Sequence, residues 1–249
     1  DPHPQLSKDN PNVYMSMGIT AENVAKKFDI SRKEQQDFAI SSHYKANLAR
    51  ESNMFDNEIV FIKNNDEKIN KDGGIRPNTS HEILDGLKLA FDENGTVTAG
   101  TASPLTDGAS AVIVCEEEYA KKNNLNILAR IKSTAVVGCP PELMGLGPIN
   151  ASKKALKRAN LSISDIDIVE LNEAFASQSL ACIKELKMDI NKVNIHGGAI
   201  ALGHPLGATG ARITGKVATL LQNNNKKYGL ATQCIGLGQG IATVLENIN

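Results

Sequence analysis

The sequence predicts an α/β fold: a sheet covered on both faces by helices, preceded by a region of mixed α and β elements. Three observations predict it. From residue 128 onward, short apolar runs alternate with amphipathic stretches, which is the pattern of βα units. The loops that follow those apolar runs are rich in glycine. The chain has 249 residues, 41% of them hydrophobic, enough to bury a sizeable core as one large domain or two smaller ones.

Taken in order, residues 1–14 are rich in Pro and Asn and predict irregular chain. Thr20-Ala21-Glu22-Asn23 opens a short helix. Ser31-Arg32-Lys33-Glu34 is a capping-box sequence: the Ser hydroxyl takes a backbone N–H and the Glu reaches back, starting a long helix that ends near Glu51. Glu58–Ile62 is β-prone, 71–74 and 92–95 are turns, and a helix is expected near 81–89. Asp107-Gly108 ahead of the apolar run Ala109–Cys115 predicts a turn and a buried strand, with a helix over Glu116–Asn123.

The regular part begins with a strand over Leu128–Val137. Pro148 suits the first turn of the next helix, where its missing N–H costs nothing, and that helix ends near Asn160. Ile166–Leu171 is a strand, Glu173–Lys187 a helix with Phe175, Leu180 and Ile183 inward, and Val193–His196 a short strand. Thr209–Gln222 is a helix whose Ile213, Val217, Leu220 and Leu221 share one face. Leu230–Cys234 and Ile241–Glu246 are strands close enough to be antiparallel neighbours. Such alternation calls for helices on both faces of the sheet.

Composition narrows the function. The net charge is −1, from 27 basic and 28 acidic residues, and no basic face emerges, so nucleic acid is not an expected partner. No apolar run approaches the roughly 20 residues that span a bilayer, and the first residues show no signal-peptide pattern. Cysteines at 115, 139, 182 and 234 form no CxxC or Cys/His ligand spacing, so no metal is expected. Their wide spacing favours reduced thiols and a cytoplasmic location. Cys115 and Cys182 lie in apolar stretches and read as inert core thiols. The chain starts Asp1-Pro2-His3-Pro4 without a Met, which predicts a fragment of a longer polypeptide, a processed product or a trimmed one.

Two glycine-rich stretches carry the chemistry: 196–212, which contains Gly203-His204-Pro205, and 234–240, which contains Cys234-Ile235-Gly236. Glycine lets a ligand approach the main chain closely. His204, held extended by the following Pro, is a candidate general base towards a thiol; the alternative is a turn histidine bonded to backbone. Cys234 is a candidate proton shuttle among backbone N–H groups that can hold an oxyanion; the alternative is a buried small hydrophobe. Asn172 can donate to an oxygen or hold a water, or cap the helix that follows, or both. Glu173 reads as support for its neighbours. Because Asn172, His204 and Cys234 each follow a predicted strand, they are expected to converge at one sheet edge. The spacing Gly203-x3-Gly207-x2-Gly210 does not match a dinucleotide fingerprint.

These residues resemble the thiolase family, the acyl-CoA acetyltransferases and 3-ketoacyl-CoA thiolases. The likeness runs through Met17–Ala25, Ser31-Arg32, Thr96–Gly100, Asp107–Ala109, Met144–Pro148, Asn172–Ala176, the Gly-His-Pro segment and the Cys-Ile-Gly turn. It implies two βαβαβαββ halves with an inserted loop domain. Residues 1–104 would be an α+β loop domain, 105–127 a remnant strand and helix of the N-terminal half, and 128–249 one complete C-terminal half.

It also implies the reaction. A nucleophilic Cys takes an acyl group from a 3-ketoacyl-CoA and releases acetyl-CoA, and CoA then removes the acyl group; the reverse is a Claisen condensation. By this likeness His204 activates the nucleophile, and Cys234 exchanges the proton at the acetyl α-carbon. Asn172, through a water, and His204 form one oxyanion hole, and the Gly236 N–H serves the other. Arg76, Phe91, Ser103, Met144 and Phe175 fall where the family contacts CoA or shapes the acyl pocket, although Phe91 and Phe175 also read as core and Arg76 as a surface charge. Coenzyme A is a substrate, no permanently bound cofactor is implied, and a homo-oligomer is expected.

Three departures stand out. The nucleophilic Cys is not among the 249 residues, which predicts that the chain alone is inactive and partners the N-terminal half of a thiolase or a second copy. His196 and Leu237 stand where Asn and a small residue are expected. Ser16 replaces a His of biosynthetic members, which leans towards the degradative branch. An alternative of a different class is a non-catalytic acyl-CoA-binding or assembly module.

Overall fold

Helix caps set the first third of the chain. A computed structural model gives the fold and describes residues 2–65 and 67–248; the outer domain bounds at Asp1 and Asn249 lie outside the described residues. Helix α1 is Pro4–Asp9, α2 Met17–Phe28 and α3 Arg32–Glu51. The capping box at Ser31 forms as expected: Glu34 N–H donates to Ser31 Oγ at 3.2 Å, and Ser31 N–H donates to Glu34 Oε2 at 2.7 Å. A two-stranded antiparallel hairpin, β1 (Ile62–Asn64) and β2 (Glu67–Ile69), is followed by α4 (His81–Asp85) and α5 (Glu117–Lys122).

The regular part contains β3 (Arg130–Gly138), α6 (Gly147–Ala159), β4 (Ile168–Leu171), α7 (Ala176–Leu186), α8 (Ala199–Leu202), α9 (Thr209–Asn223), β5 (Tyr228–Ile235) and β6 (Gln239–Glu246). The sheet order is β3-β6-β5-β4. β6 runs antiparallel to β3 and to β5, and β4 runs parallel to β5. The carboxyl ends of β3, β4 and β5 therefore meet at one edge, the place where open α/β sheets gather ligands.

Both faces of this sheet are covered. α6 and α7 bury Leu156, Cys182 and Ile183 against Val169, Leu171, Leu230 and Val244. On the other face α9 buries Ile213, Val217, Leu220 and Leu221 against Ile168, Ala231 and Leu245. The start of α6 crosses β6 so closely that a Cβ on Gly240 would overlap the Gly147 backbone. β3 lies at the end of the sheet order and has a register shift between Ile131 and Ser133. The Thr134 and Val136 carbonyls of this strand accept from Arg158 and Lys154 of α6.

Several expected elements differ, each for a local reason. Residues 1–14 are not wholly irregular: His3 Nδ1 caps α1 by accepting from Leu6 N–H, and Pro4 sits in the first turn. α2 starts at Met17, before Thr20. The β structure expected at 58–62 forms later, as the hairpin, and α4 stops at Asp85. α7 starts at Ala176, because the backbone at 174–175 is extended and paired: Ala102 bridges Phe175, and Ser103 N–H donates to the Ala174 carbonyl at 3.0 Å.

The strand expected at 193–196 is reduced to a single parallel bridge between Val193 and Val169. Asn194 adopts the left-handed conformation (φ 46°), and its side chain takes over the strand pairing, bonding both the N–H and the carbonyl of Leu171. The expected buried strand at 109–115 does not form. Ile113 is 90% and Val114 68% exposed, and Cys115 is exposed rather than in the core. Among the described residues this run has no neighbouring strand to complete its backbone hydrogen bonds. It instead lines a groove of about 660 Å³ with Leu125, Leu128, Ile131 and Leu245.

Candidate active site

The segment after β4 sets Asn172 at the sheet edge, with its backbone N–H donating to the Thr232 carbonyl of β5 at 3.0 Å. Its Nδ2 lies 3.3 Å from His204 Nε2. On the other side of the ring, His204 Nδ1 is 2.7 Å from Thr209 Oγ1, which in turn donates to the Pro205 carbonyl at 3.0 Å. A hydroxyl has one hydrogen, and Thr209 uses it on Pro205, so Thr209 accepts from His204 Nδ1–H. The neutral imidazole then carries its lone pair on Nε2, where it accepts from the Asn172 amide at 3.3 Å.

Backbone geometry places this ring. Gly203 has φ +92°, a left-handed conformation that a side chain resists, and a Cβ there would overlap Thr106. Thr106 Oγ1 accepts the His204 N–H at 3.3 Å. Burial, and then the nearby Arg212 charge, hold the imidazole below its ordinary proton affinity. His204 is therefore neutral and able to accept a proton.

Cys234 is buried on β5 in a compact apolar cluster with Ala21, Val97, Ala102, Met144, Ala174 and Phe175. Burial pushes its thiol up to about 12, so it stays protonated at neutral pH. Phe91 packs edge-on against Phe175, with ring centroids 5.9 Å apart. Ser103 donates to the Ala174 carbonyl at 3.1 Å. Gly236 is exposed in the turn between β5 and β6, with open space where a Cβ would stand.

Met144 and Phe175 thus share the cluster of Cys234, Phe91 packs on Phe175 and Ser103 bonds the Ala174 carbonyl, while Asn172 lies with His204. Among the described residues no hydrogen bond joins these two groups directly; they share the edge at which β4 and β5 end. Arg76 stands apart: it is exposed, and its backbone N–H donates to His43 Nδ1 at 3.1 Å. Among the described residues, no cluster of His, Cys, Asp and Glu could hold a metal ion, and no helix is long and apolar enough to cross a membrane.

Two family models match, the thiolase N-terminal domain over residues 7–118 and the thiolase C-terminal domain over 125–247. The chain belongs to the thiolase family. It is 52% identical over 255 residues to a 3-ketoacyl-CoA thiolase of Shewanella loihica, covering 99% of this chain and 66% of that one. It is 51% identical over 258 residues to a 3-ketoacyl-CoA thiolase of Photobacterium profundum, covering 100% and 66%. The chain thus spans just under two thirds of the curated relatives it matches. Human mitochondrial 3-ketoacyl-CoA thiolase in complex with CoA superposes with a TM-score of 0.93 at 44% identity, over 96% of this chain and 60% of that one. The acetyl-CoA acetyltransferase of Bacillus anthracis superposes with a TM-score of 0.90 at 43% identity, over 93% and 60%. The fold is thiolase-like α/β.

The supporting residues of this thiolase-family site were not singled out from sequence. Thr209 and Thr106 hold the ring of His204 and its backbone. Glu173, read only as support, accepts from Ser42 Oγ (2.7 Å), Asn194 Nδ2 (2.8 Å) and Ile200 N–H (3.1 Å), tying α3 and the start of α8 to the end of β4. Glu22 accepts from the N–H groups of Thr96 and Val97, both within 3.0 Å, and so fixes the loop beside Phe91. The available signal was charge inside apolar runs: Glu22 among Ala21, Val24 and Ala25, and Glu170 inside the strand Ile168–Leu171.

Proposed function

We propose that these residues carry the part of a thiolase active site that handles protons in thiolytic cleavage of a 3-ketoacyl-CoA, or in the reverse condensation. His204 Nε2 takes the proton of a nucleophilic Cys supplied from outside residues 1–249. The thiolate attacks the 3-keto carbon, and the resulting oxyanion lies against protonated His204 and a water held by Asn172. The Cα–Cβ bond breaks, its electron pair passes to the departing acetyl-CoA carbanion, and Cys234 Sγ–H protonates that carbon. CoA then attacks the thioester after giving its thiol proton to Cys234; the Gly236 N–H supports the second oxyanion, whose collapse expels the nucleophilic Cys, and His204 returns its proton to that thiolate. Met144, Phe91 and Phe175 wall the acyl pocket, and Arg76 and Ser103 face CoA. Residues 1–104, 105–127 and 128–249 act as loop domain, remnant of the N-terminal half and complete C-terminal half.

The observation that supports this reading most is the pairing of opposite protonation states. A neutral imidazole whose Nε2 carries a lone pair lies on the same sheet edge as a thiol that burial keeps protonated. One accepts a proton and the other donates one, as the two halves of the reaction need.

The exposed apolar run at 112–114 fits a covering partner, either the N-terminal half of a thiolase or a second copy of this chain. The isolated chain is expected to neither form an acyl-enzyme nor thiolyse acetoacetyl-CoA, and to regain turnover when mixed with an N-terminal thiolase segment. Turnover by the isolated chain at the rate of an intact thiolase would refute the external nucleophile. Failure to bind CoA calorimetrically, with or without the added segment, would remove the activity itself.

A further inference from the structure

Between Ser103 and α5 the chain runs as a strap beside the loop that carries His204. The Ser103 N–H ties its start to the Ala174 carbonyl, and an ion pair from Glu117 to Arg130 ties its end to β3. Among the described residues, the backbone of 104–115 makes no hydrogen bond to other backbone. Its hold on the site comes instead from every second residue, the spacing of an extended chain with one face inward. Thr106 Oγ1 accepts the His204 N–H at 3.3 Å and gives its own hydrogen to the Pro104 carbonyl at 2.7 Å. Gly108 lies against the Pro205 ring. Ser110 Oγ donates to the Ala208 carbonyl at 2.6 Å. Leu105, Asp107 and Ala109, in between, are exposed.

The three contacts fall in the same order along both segments and bracket the imidazole. One is on the His204 backbone, one on the residue after it, and one on Ala208, whose carbonyl also accepts the Arg212 N–H at 3.0 Å in the first turn of α9. Thr209, next to Ala208, holds Nδ1 of the ring, and Asn172 lies at Nε2. A shift of this loop therefore moves the ring relative to Asn172. The Gly108 contact leaves the least room. A Cβ there would stand 2.7 Å from Pro205 Cγ and 3.3 Å from Pro205 Cβ, and apart from its chain neighbours nothing else among the described residues comes within 4 Å. Gly108 does not have a positive φ, so its backbone would accept a side chain. The Pro205 ring alone excludes one, and a ring closed on its own backbone yields only by moving the loop.

We infer that Gly108 and Ser110 are positioning residues for His204: the strap rests on Pro205 and grips the Ala208 carbonyl, and so sets where the imidazole stands against Asn172. The strap matters to catalysis only if His204 is the base proposed above, but its effect on the ring can be read without turnover. Both residues are exposed, so substitutions there leave the packed core intact. A merely structural role predicts a change in stability with the ring left in place; positioning predicts the reverse.

The test is NMR of the histidine rings and of the Asn172 side-chain amide in the 249-residue chain, beside urea denaturation. Gly108→Ala should move the His204 and Asn172 signals, leave His3, His43 and His81 in place, and keep the urea midpoint of the parent. Ser110→Ala should move the same signals less, and Ser110→Thr, which keeps the hydroxyl, should restore them. Ala109→Ser, between the two contacts, should move neither. With an N-terminal thiolase segment added, Gly108→Ala should lower kcat about tenfold at unchanged KM for CoA, because the base is displaced and the binding walls are not. His204 signals that stay put in Gly108→Ala, or move as far in Ala109→Ser, overturn the proposal, as does a parental kcat in complemented Gly108→Ala. If Gly108→Ala does not fold, unmoved His204 signals in Ser110→Ala overturn it alone. Moved signals in a chain whose parent shows no thiolysis after complementation would instead remove the functional reading and leave the strap standing.

Discussion

Residues 128–249 and residues 105–127 carry similar proportions of apolar sequence and reach opposite outcomes. In the first, Val217, Leu220, Leu221 and Leu230 are wholly buried between sheet and helix. In the second, Val112, Ile113 and Val114 face outward, with no paired strand beside them among the described residues. An apolar run becomes a strand only when another strand completes its hydrogen bonds, and it is buried only when a second layer covers it. Both conditions hold along β4 and β5, and neither holds at 109–115. The difference lies in the surroundings of the two runs rather than in the runs themselves.

This contrast can be broken or sharpened by substitution. The largest effect is expected at Leu220→Ala, which opens a cavity under α9 and should cost about 4 kcal/mol of unfolding free energy, read by urea denaturation. Next is Glu173→Ala, which strips the acceptor from Ser42, Asn194 and the Ile200 N–H at the seam between α3 and the sheet. About 3 kcal/mol is expected, with Glu173→Gln much milder. If Glu173→Ala costs nothing, the packed region ends at β4 and does not extend to α3.

A pH effect should be smaller. Burial, helped by Arg76 at His43 and by Lys216 at His196, pulls both imidazoles down to about 4 from an ordinary 6.5. The unfolded chain then binds these protons first, so stability present above pH 6.5 is lost as pH falls towards 4. Glu170, raised to about 7, works in the opposite sense, losing stability as pH rises from 4.5 to 7, and burial raises Glu173 and Asp72 in the same direction. The imidazole contribution is therefore read as a difference: between pH 6.5 and 5 the unsubstituted chain should lose more stability than His43→Asn does in the same denaturation series. The smallest effect belongs to the other region: Ile113→Lys should change stability by less than about 0.5 kcal/mol while reducing self-association in light scattering. A cost near that of Leu220→Ala would mean that 109–115 is packed in solution.

Much of the fold was legible because its signals are local. The capping box at Ser31, Pro148 in the first turn of α6 and the 3.6-residue periodicity of α9 each depend on a few neighbouring residues. Elements that depend on distant partners were not legible. The late start of α7 depends on Ala102 and Ser103, and the reduction of 193–196 to one bridge depends on the Asn194 side chain taking over the pairing with Leu171. At the site, His204, Asn172 and Cys234 stood out because glycine or a strand end flanks them. Thr209 lay five residues from His204, but nothing in the sequence said that its hydroxyl would fix the tautomer.

The end strand β3 bears on how any partner can approach. Unpaired edges invite strand-by-strand growth into aggregates. Here the irregularity between Ile131 and Ser133 twists the border, and Arg158 and Lys154 occupy carbonyls along it. A newcomer that tried to extend the sheet would have to displace two cations and match a broken register. The covering partner proposed above would thereby be steered away from templated fibre-like stacking and towards the apolar flank at 112–114.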